Sequence, residues 1–313
     1  MLTHYQIIDG HIHAGDASNF NCLVLAGASL KERQAIIKKY ALPEYIFDTD
    51  HILEPIAHFE YLDSSRLTHA WRLSLTNLSP MTSNAIEARL EAVRIIHSDD
   101  LLIFQIAQNS AFVEHLIAHC QTETATIDRL VGQALKRIYV HFDRELVRQK
   151  QLIDELDHAA RATAKNAALF QLADTTRDLV YLQHLLDDLR DPVTQLWTDA
   201  IFSRALAHTH LRESIRRQQH RAEIRVSLYR DLIEAIGGLF TDMMNNNLNH
   251  LMQYLNSAAL LLAVPSLIAG IWGMNVGSLP GEKVRFAFWV VIGITALITI
   301  TYGIYLAKKD YAK

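Results

Sequence analysis

The sequence predicts an α/β domain followed by a long helical stalk and two C-terminal transmembrane helices. Three observations carry that reading. Residues 1–242 carry almost all the charge, and no Asp, Glu, Lys or Arg occurs from Met243 to Gly281. A second uncharged run, Phe286 to Ala307, follows after a short polar interval. The apolar part of the first run, Leu251 to Trp272, and the whole of the second are each about 20 residues long, the length a helix needs to cross a bilayer. Upstream, strand-like segments give way near Ser110 to amphipathic helical stripes.

The elements follow in chain order. Residues 1–190 read as the α/β domain with helices packed around it. "LKERQAIIKKYAL" has the spacing of a short helix, while "THAWRLSLTNL", "AIEARLEAVRIIH" and "DDLLIFQIAQ" alternate or cluster β-formers as strands do. "SAFVEHLIAHCQ", "TIDRLVGQALKRIYVHFDRELVRQKQLIDELDHAAR" and "ALFQLADTTRDLVYLQHLLDDLR" place apolar residues at i, i+3 and i+4 with charge on the opposite face, the pattern of core packing. Asp191-Pro192 then supplies an N-cap and a first-turn proline. A stalk helix is therefore expected over 191–250, with Gly237-Gly238 as its weak point. Its apolar stripe exceeds what one chain can bury, which favours self-association around an axis. The first transmembrane helix is expected over 251–275, a loop over 276–285, the second span over 286–307, and a basic tail over 308–313.

The 313-residue chain carries a formal net charge of −4. No basic region followed by an apolar stretch opens it, so the polar portion is expected in the cytoplasm. Two spans return the C-terminus to the same side, where Lys308, Lys309 and Lys313 fit the positive-inside rule. Cys22 and Cys120 form no paired framework and suit a reducing compartment. Arg212, Arg216, Arg217, Arg221, Arg225 and Arg230, with Glu213 and Glu223 between them, read as a solvated helix face with local ion pairs. "IIDGHIHAG", with His11 and His13, resembles the first strand of amidohydrolase barrels. That chemistry needs roughly 250 residues of alternating βα units, which the helical stretch and the two spans exclude. No enzymatic function is expected.

The first span has an uneven surface. Asn249, Asn256, Ala263 and Gly270 recur every seven residues, with Met252, Ala259, Ser266 and Gly273 offset by three. Those rows share one helix face, while Leu260, Leu261, Leu267 and Ile268 occupy the others. Small and polar residues toward an axis with leucines outward suit a bundle around water; the alternative is that small residues simply let helices pack closely.

"LIAGIWGMN", Leu267 to Asn275, resembles the signature of the CorA family of divalent-cation transporters, in which Gly-Met-Asn closes the first membrane helix. "LNHLMQYLN", Leu248 to Asn256, is similar to that family's cytoplasmic pore mouth, and "LFQLADTTRDLVYLQHLLDDLRDPVTQL" and "KKYALPEYIFDTDHILEPIAHFEYL" extend the likeness over most of the chain. The resemblance implies a homopentameric funnel in an inner membrane, lined by the first membrane helix of each subunit, with both termini cytoplasmic. It implies that Gly273, Met274 and Asn275 form the outer mouth. Asn249 and Asn256 would make inner polar rings, Met252 and Leu255 an apolar constriction, and Ala259, Ala263, Ser266 and Gly270 the wall between. The loop departs from many magnesium-type members, because Gly281 rather than an acid follows Pro280. "GMNVGSLPG" resembles more closely the zinc-transporter branch, ZntB.

The expected partners are a bilayer, further copies of the chain and divalent cations, with no nucleic acid and no permanently bound cofactor. Mg2+ or Zn2+ is the expected cargo. Mg2+ keeps several waters, and a ring of Asn oxygens can hold it through them without trapping it. Zn2+ favours imidazole and thiolate. Among 16 histidines, His115 and His119, beside Cys120, have i, i+4 spacing, and His208 and His210 lie near the stalk. These are loose candidates for a regulatory metal site. A second reading is a non-conducting membrane-anchored sensor or scaffold on the same fold.

Overall fold

Short buried strands flanked by long amphipathic helices build the first part of the molecule. The computed structural model describes residues 2–47, 57–63, 65–80, 85–120, 125–162, 166–207, 210–274 and 286–308. The strands are β1 (Leu2–Ile8), β2 (His11–Ala14), β3 (Cys22–Ala26), β4 (His58–Tyr61), β5 (Trp71–Leu78), β6 (Leu90–His97) and β7 (Leu102–Ile106). The helices are α1 (Leu30–Tyr40), α2 (Phe112–Cys120), α3 (Ile127–Ala162), α4 (Asn166–Thr198), α5 (Ala200–Ala205), α6 (His210–Trp272) and α7 (Ala287–Lys308). They fall into two compact units, one reaching Ile236 and one from Gly237 onward. The sequence had suggested a division at 190.

The first unit is organised by one seven-stranded sheet in the order β2-β1-β3-β7-β6-β5-β4. The β3–β7 pair is parallel and every other neighbouring pair is antiparallel. Every residue of β7 is buried, as expected of a central strand covered on both faces. His11 and His13 lie exposed on β2, the edge strand, rather than in a barrel.

On one face, Leu23, Leu25, Ile96 and Ile103 pack with Ile36 of α1 and with Ile46 and Phe47. Ser29 and Glu32 start α1 with a reciprocal capping box, satisfying two otherwise orphaned N–H groups. The opposite face is joined to α3 by polar contacts: His97 Nε2 to Asp128 at 2.8 Å, His141 Nδ1 to Asn77 Oδ1 at 2.8 Å, and Arg89 Nη1 to Glu145 at 2.8 Å. Glu145 is also held by Arg148 at 2.6 Å, and Gln149 bridges Glu145 and Asp178 at 3.0 and 3.1 Å. Burial pulls the Glu145 carboxyl upward, but the hydrogen bonds from Arg148 and Arg89 prevail and hold it below the usual range. Asp178 goes the other way: burial raises it more than the Gln149 hydrogen bond lowers it.

The stalk boundary differs from the expectation. Pro192 lies inside α4, and the long helix starts at His210 rather than at 191. Leu189, Val193 and Leu196 are at most 1% exposed, so the buried stripe carries the helix through a proline that lacks an N–H to donate. The break comes at Asp199, whose side chain accepts from Phe202 N at 2.8 Å and caps α5. Phe202 is fully buried against Trp71. Beyond the break, α6 runs on through Gly237-Gly238. Gly132 of α3 lets the start of α6 approach closely, since a Cβ there would meet Leu211 at 2.8 Å. The arginines of α6 reach across to neighbouring helices: Arg225 pairs with Asp143, Arg230 bonds Gln183 at 2.6 Å, and Arg212 sits over Trp197.

Burial, reinforced by the positive charges of Arg137, Arg144 and His115, pushes His141 from 6.5 down to about 4. The folded chain therefore binds this proton less readily than the unfolded chain. Its contribution to stability is whole above about 6.5 and is lost as the pH falls toward about 4. Thermal melts should show the midpoint dropping from about pH 7.5 to about pH 5 more steeply in the parent than in His141→Gln; parallel slopes would contradict the assignment.

Candidate ion-conduction face

Helices α6 and α7 are the described helices long and apolar enough to cross a bilayer, with mean hydropathy of 1.7 and 2.0 in their most apolar windows. In the second unit, α6 presents two unlike sides. Gln253, Ser257, Leu261, Val264, Ile268 and Trp272 are half-buried, at the three- and four-residue spacing of one helix face. The half-buried positions of α7 are Ala287, Val291, Thr295, Thr299, Tyr302, Gly303 and Leu306 among the described side chains. A Cβ built on Gly303 would sit 3.5 Å from Leu261 Cδ1. The two helices therefore meet along these stripes. Thr295 and Thr299 donate their hydroxyls to the carbonyls of Val291 and Thr295 at 2.8 Å each, so neither needs water in an apolar layer.

The candidate pore residues from Asn249 to Gly270 lie on the other side, whereas Gly273 borders a groove that Phe288, Val291 and Thr295 of α7 also line. Asn249, Met252, Leu255, Asn256, Ala259, Ala263, Ser266, Gly270 and Gly273 are all exposed. At about 100° per residue, the centre of this row is roughly 150° from the stripe that meets α7. Nothing lies within 4 Å of a Cβ placed on Gly270. Ser266 donates its hydroxyl to Leu262 O at 2.8 Å, leaving its oxygen lone pairs available to water. Pro265 does not end the helix. After Trp272 the backbone continues with Gly273 N to Ala269 O at 2.9 Å and Met274 N to Ile271 O at 3.3 Å, the tightening common at a helix C-terminus. Met274 is exposed. Asn275, the loop with Pro280 and Gly281, His208 and the tail residues Lys309 and Lys313 lie outside the described residues.

The row combines amide oxygens, a hydroxyl, small residues and two flexible apolar side chains, without a formal charge. Such a surface can hydrogen-bond to the waters around a cation but supplies no thiolate, imidazole or carboxylate to strip them.

The histidine candidates sit elsewhere. His115 and His119 are exposed on α2, and Cys120 is buried. Arg137 donates to His115 O at 3.4 Å, and His119 shares a cleft with Lys136, Arg137 and Arg144. Among the described residues, no three of His, Cys, Asp or Glu converge as a metal site. Burial pushes the Cys22 thiol up to about 12, leaving it inert as a thiolate ligand. Sequence reasoning passed over the basic cluster of α3 because Lys136, Arg137 and Arg144 read as part of a charged outer face. It also passed over the Thr-Thr-Gly stripe of α7, although its spacing of four was there to be found.

An α/β sheet domain, long helices and two apolar C-terminal helices define a protein of CorA-like fold. The chain belongs to the CorA family: the family described as CorA-like Mg2+ transporter protein matches residues 25–309. The cobalt/magnesium transport protein CorA of Thermotoga maritima is 26% identical over 86 residues; that match spans 28% of this chain and only 24% of the relative. The complete structure of the CorA magnesium transporter from Methanocaldococcus jannaschii superimposes with a TM-score of 0.76 at 16% identity, covering 99% of this chain and 98% of the other. The ZntB cytoplasmic domain from Vibrio parahaemolyticus gives a TM-score of 0.64 at 11% identity, covering 78% of this chain and 97% of that domain.

The α6–α7 contact leads to a stability prediction. Ordinary van der Waals space at Gly303 accommodates a methyl group, so Gly303→Ala should melt close to the parent in detergent. Gly303→Ile should cost about 1–3 kcal/mol by overpacking and lower the melting midpoint. Equal melting of the two variants would contradict the packing.

Proposed function

We propose that the chain is a divalent-cation transporter whose copies assemble as a homopentamer around the exposed face of α6, with both termini cytoplasmic. The observation that carries this reading is the exposed, uncharged row from Asn249 to Gly270, which faces away from α7 and precedes Gly273-Met274-Asn275 in the sequence. Symmetry would turn each polar residue of the row into a ring. Asn275 rings then meet the hydrated ion at the outer mouth, Asn256 and Asn249 meet it again below, and Met252 and Leu255 form a constriction that closes by excluding water. Each ring contributes oxygen donors of partial charge, so the ion is attracted yet free to leave. A carboxylate ring would bind it longer, and thiolates or imidazoles would select for Zn2+ by direct ligation.

An ion kept in its water shell is distinguished mainly at the mouth. There the loop form, with Gly281 after Pro280, supports Zn2+ as cargo alongside Mg2+ and Co2+, with Zn2+ slightly favoured. Purified protein in liposomes should take up Zn2+, Mg2+ and Co2+ under a membrane potential. Asn275→Ala should reduce the flux about tenfold, the equivalent of ~1.4 kcal/mol of lost stabilisation at the mouth. Undiminished flux in Asn275→Ala would remove the Asn ring from the mechanism, and a parent protein that moves no divalent ion would end the transport reading.

A further inference from the structure

Between α2 and α3 lies a cleft of about 190 Å3 whose lining includes Lys136, Arg137 and Arg144 of α3 and His119 of α2, with Gln133 and His141 also on its wall. We propose that this cleft is a binding site for a phosphate-sized oxyanion, separate from the conduction face. Positions 133, 136/137, 140/141 and 144 fall on one side of α3, so the helix itself gathers the cationic groups.

No Asp or Glu lines the cleft among the described residues. The nearby carboxylates of α3 are engaged elsewhere: Asp128 with His97, Asp143 with Arg225, and Glu145 with Arg89 and Arg148. Three permanent positive charges therefore face one small space without a described counter-charge.

Arg137 supplies the second observation. Its Nη1 makes only the long 3.4 Å contact to His115 O, and its Nε is buried with no hydrogen-bond partner among the described residues. A sheltered, idle guanidinium N–H is uncommon in folded proteins, and the planar fork of a guanidinium matches the oxygens of a phosphoryl group. The surroundings bear the mark of accumulated positive charge. Burial and then Arg144 pull Arg137 below the ordinary guanidinium range, and Arg137 and Arg144 add to the burial that depresses His141. The same field opposes a metal cation at His115 and His119.

Size narrows the ligand. A cleft of about 190 Å3 is below the range of pockets that enclose drug-sized molecules. It fits a single oxyanion with its waters, either inorganic phosphate or the end of a phosphomonoester.

The test uses the full chain in detergent, followed by thermal melting against inorganic phosphate, glycerol phosphate and sodium chloride at matched ionic strength. Phosphate should raise the midpoint beyond chloride, through preferential binding to the folded state. The Lys136→Gln/Arg144→Gln variant should need on the order of tenfold more phosphate for the same rise. Arg144 is exposed and Lys136 half-exposed, so this variant should fold, and Arg144→Gln alone should show a smaller shift in the same direction. A larger response to glycerol phosphate would assign the site to phosphomonoesters, and an equal one to free phosphate; either supports the proposal. Equal responses to phosphate and chloride, or an unchanged response in the double variant, would overturn it. So would a phosphate-blind protein stabilised by Zn2+ through His115 and His119.

Discussion

Helix α6 has to satisfy two demands at once. One side packs on α7 through Leu261, Val264, Ile268 and Trp272, while the other carries Asn249, Asn256, Ser266 and Gly270, all exposed among the described residues. In a bilayer the backbone bonds of both helices are satisfied internally, but amide side chains are not. Lipid offers no partner for Asn256, whereas water or another copy of the helix does. In the proposed function, the asymmetry of this helix links the sequence to an oligomer and to a wet axis.

The sheet unit meets its polar obligations differently. Arg89, Glu145, Gln149 and Asp178 are buried and answer one another. Such networks do not necessarily add stability over an apolar core, yet breaking one partner leaves an uncompensated charge. With His97–Asp128 and His141–Asn77 they fix α3 to the sheet at several points. Lys136, Arg137 and Arg144, outside these pairs, line the α2–α3 cleft.

Much of this was legible from local pattern. The uncharged runs announced α6 and α7, β5 to β7 showed in their β-formers, and the seven-residue recurrence placed the conduction row on one face. Asp191-Pro192 misled because a correct local signal was overridden by the buried Leu189, Val193 and Leu196, which hold α4 together across the proline. The contacts of Arg89 with Glu145 and of Asn77 with His141 join residues far apart in sequence, and no local pattern announces them. The role of Gly303 likewise depends on Leu261 in another helix. The Gly-Met-Asn motif was visible as a resemblance, although its Asn275 lies outside the described residues.

In the proposed function, the row opposite α7 faces water along a conducting axis. Single cysteines placed in turn along α6 from 252 to 270, in liposomes moving Mg2+, would test it with a small hydrophilic thiol reagent. Cys22 and Cys120 are buried and should contribute little background. Cysteines at 256, 259, 263, 266 and 270 should react and block flux, while those at 257, 261, 264 and 268 should stay unreactive. Reaction and block at the α7-facing positions instead, with the first set silent, would contradict it.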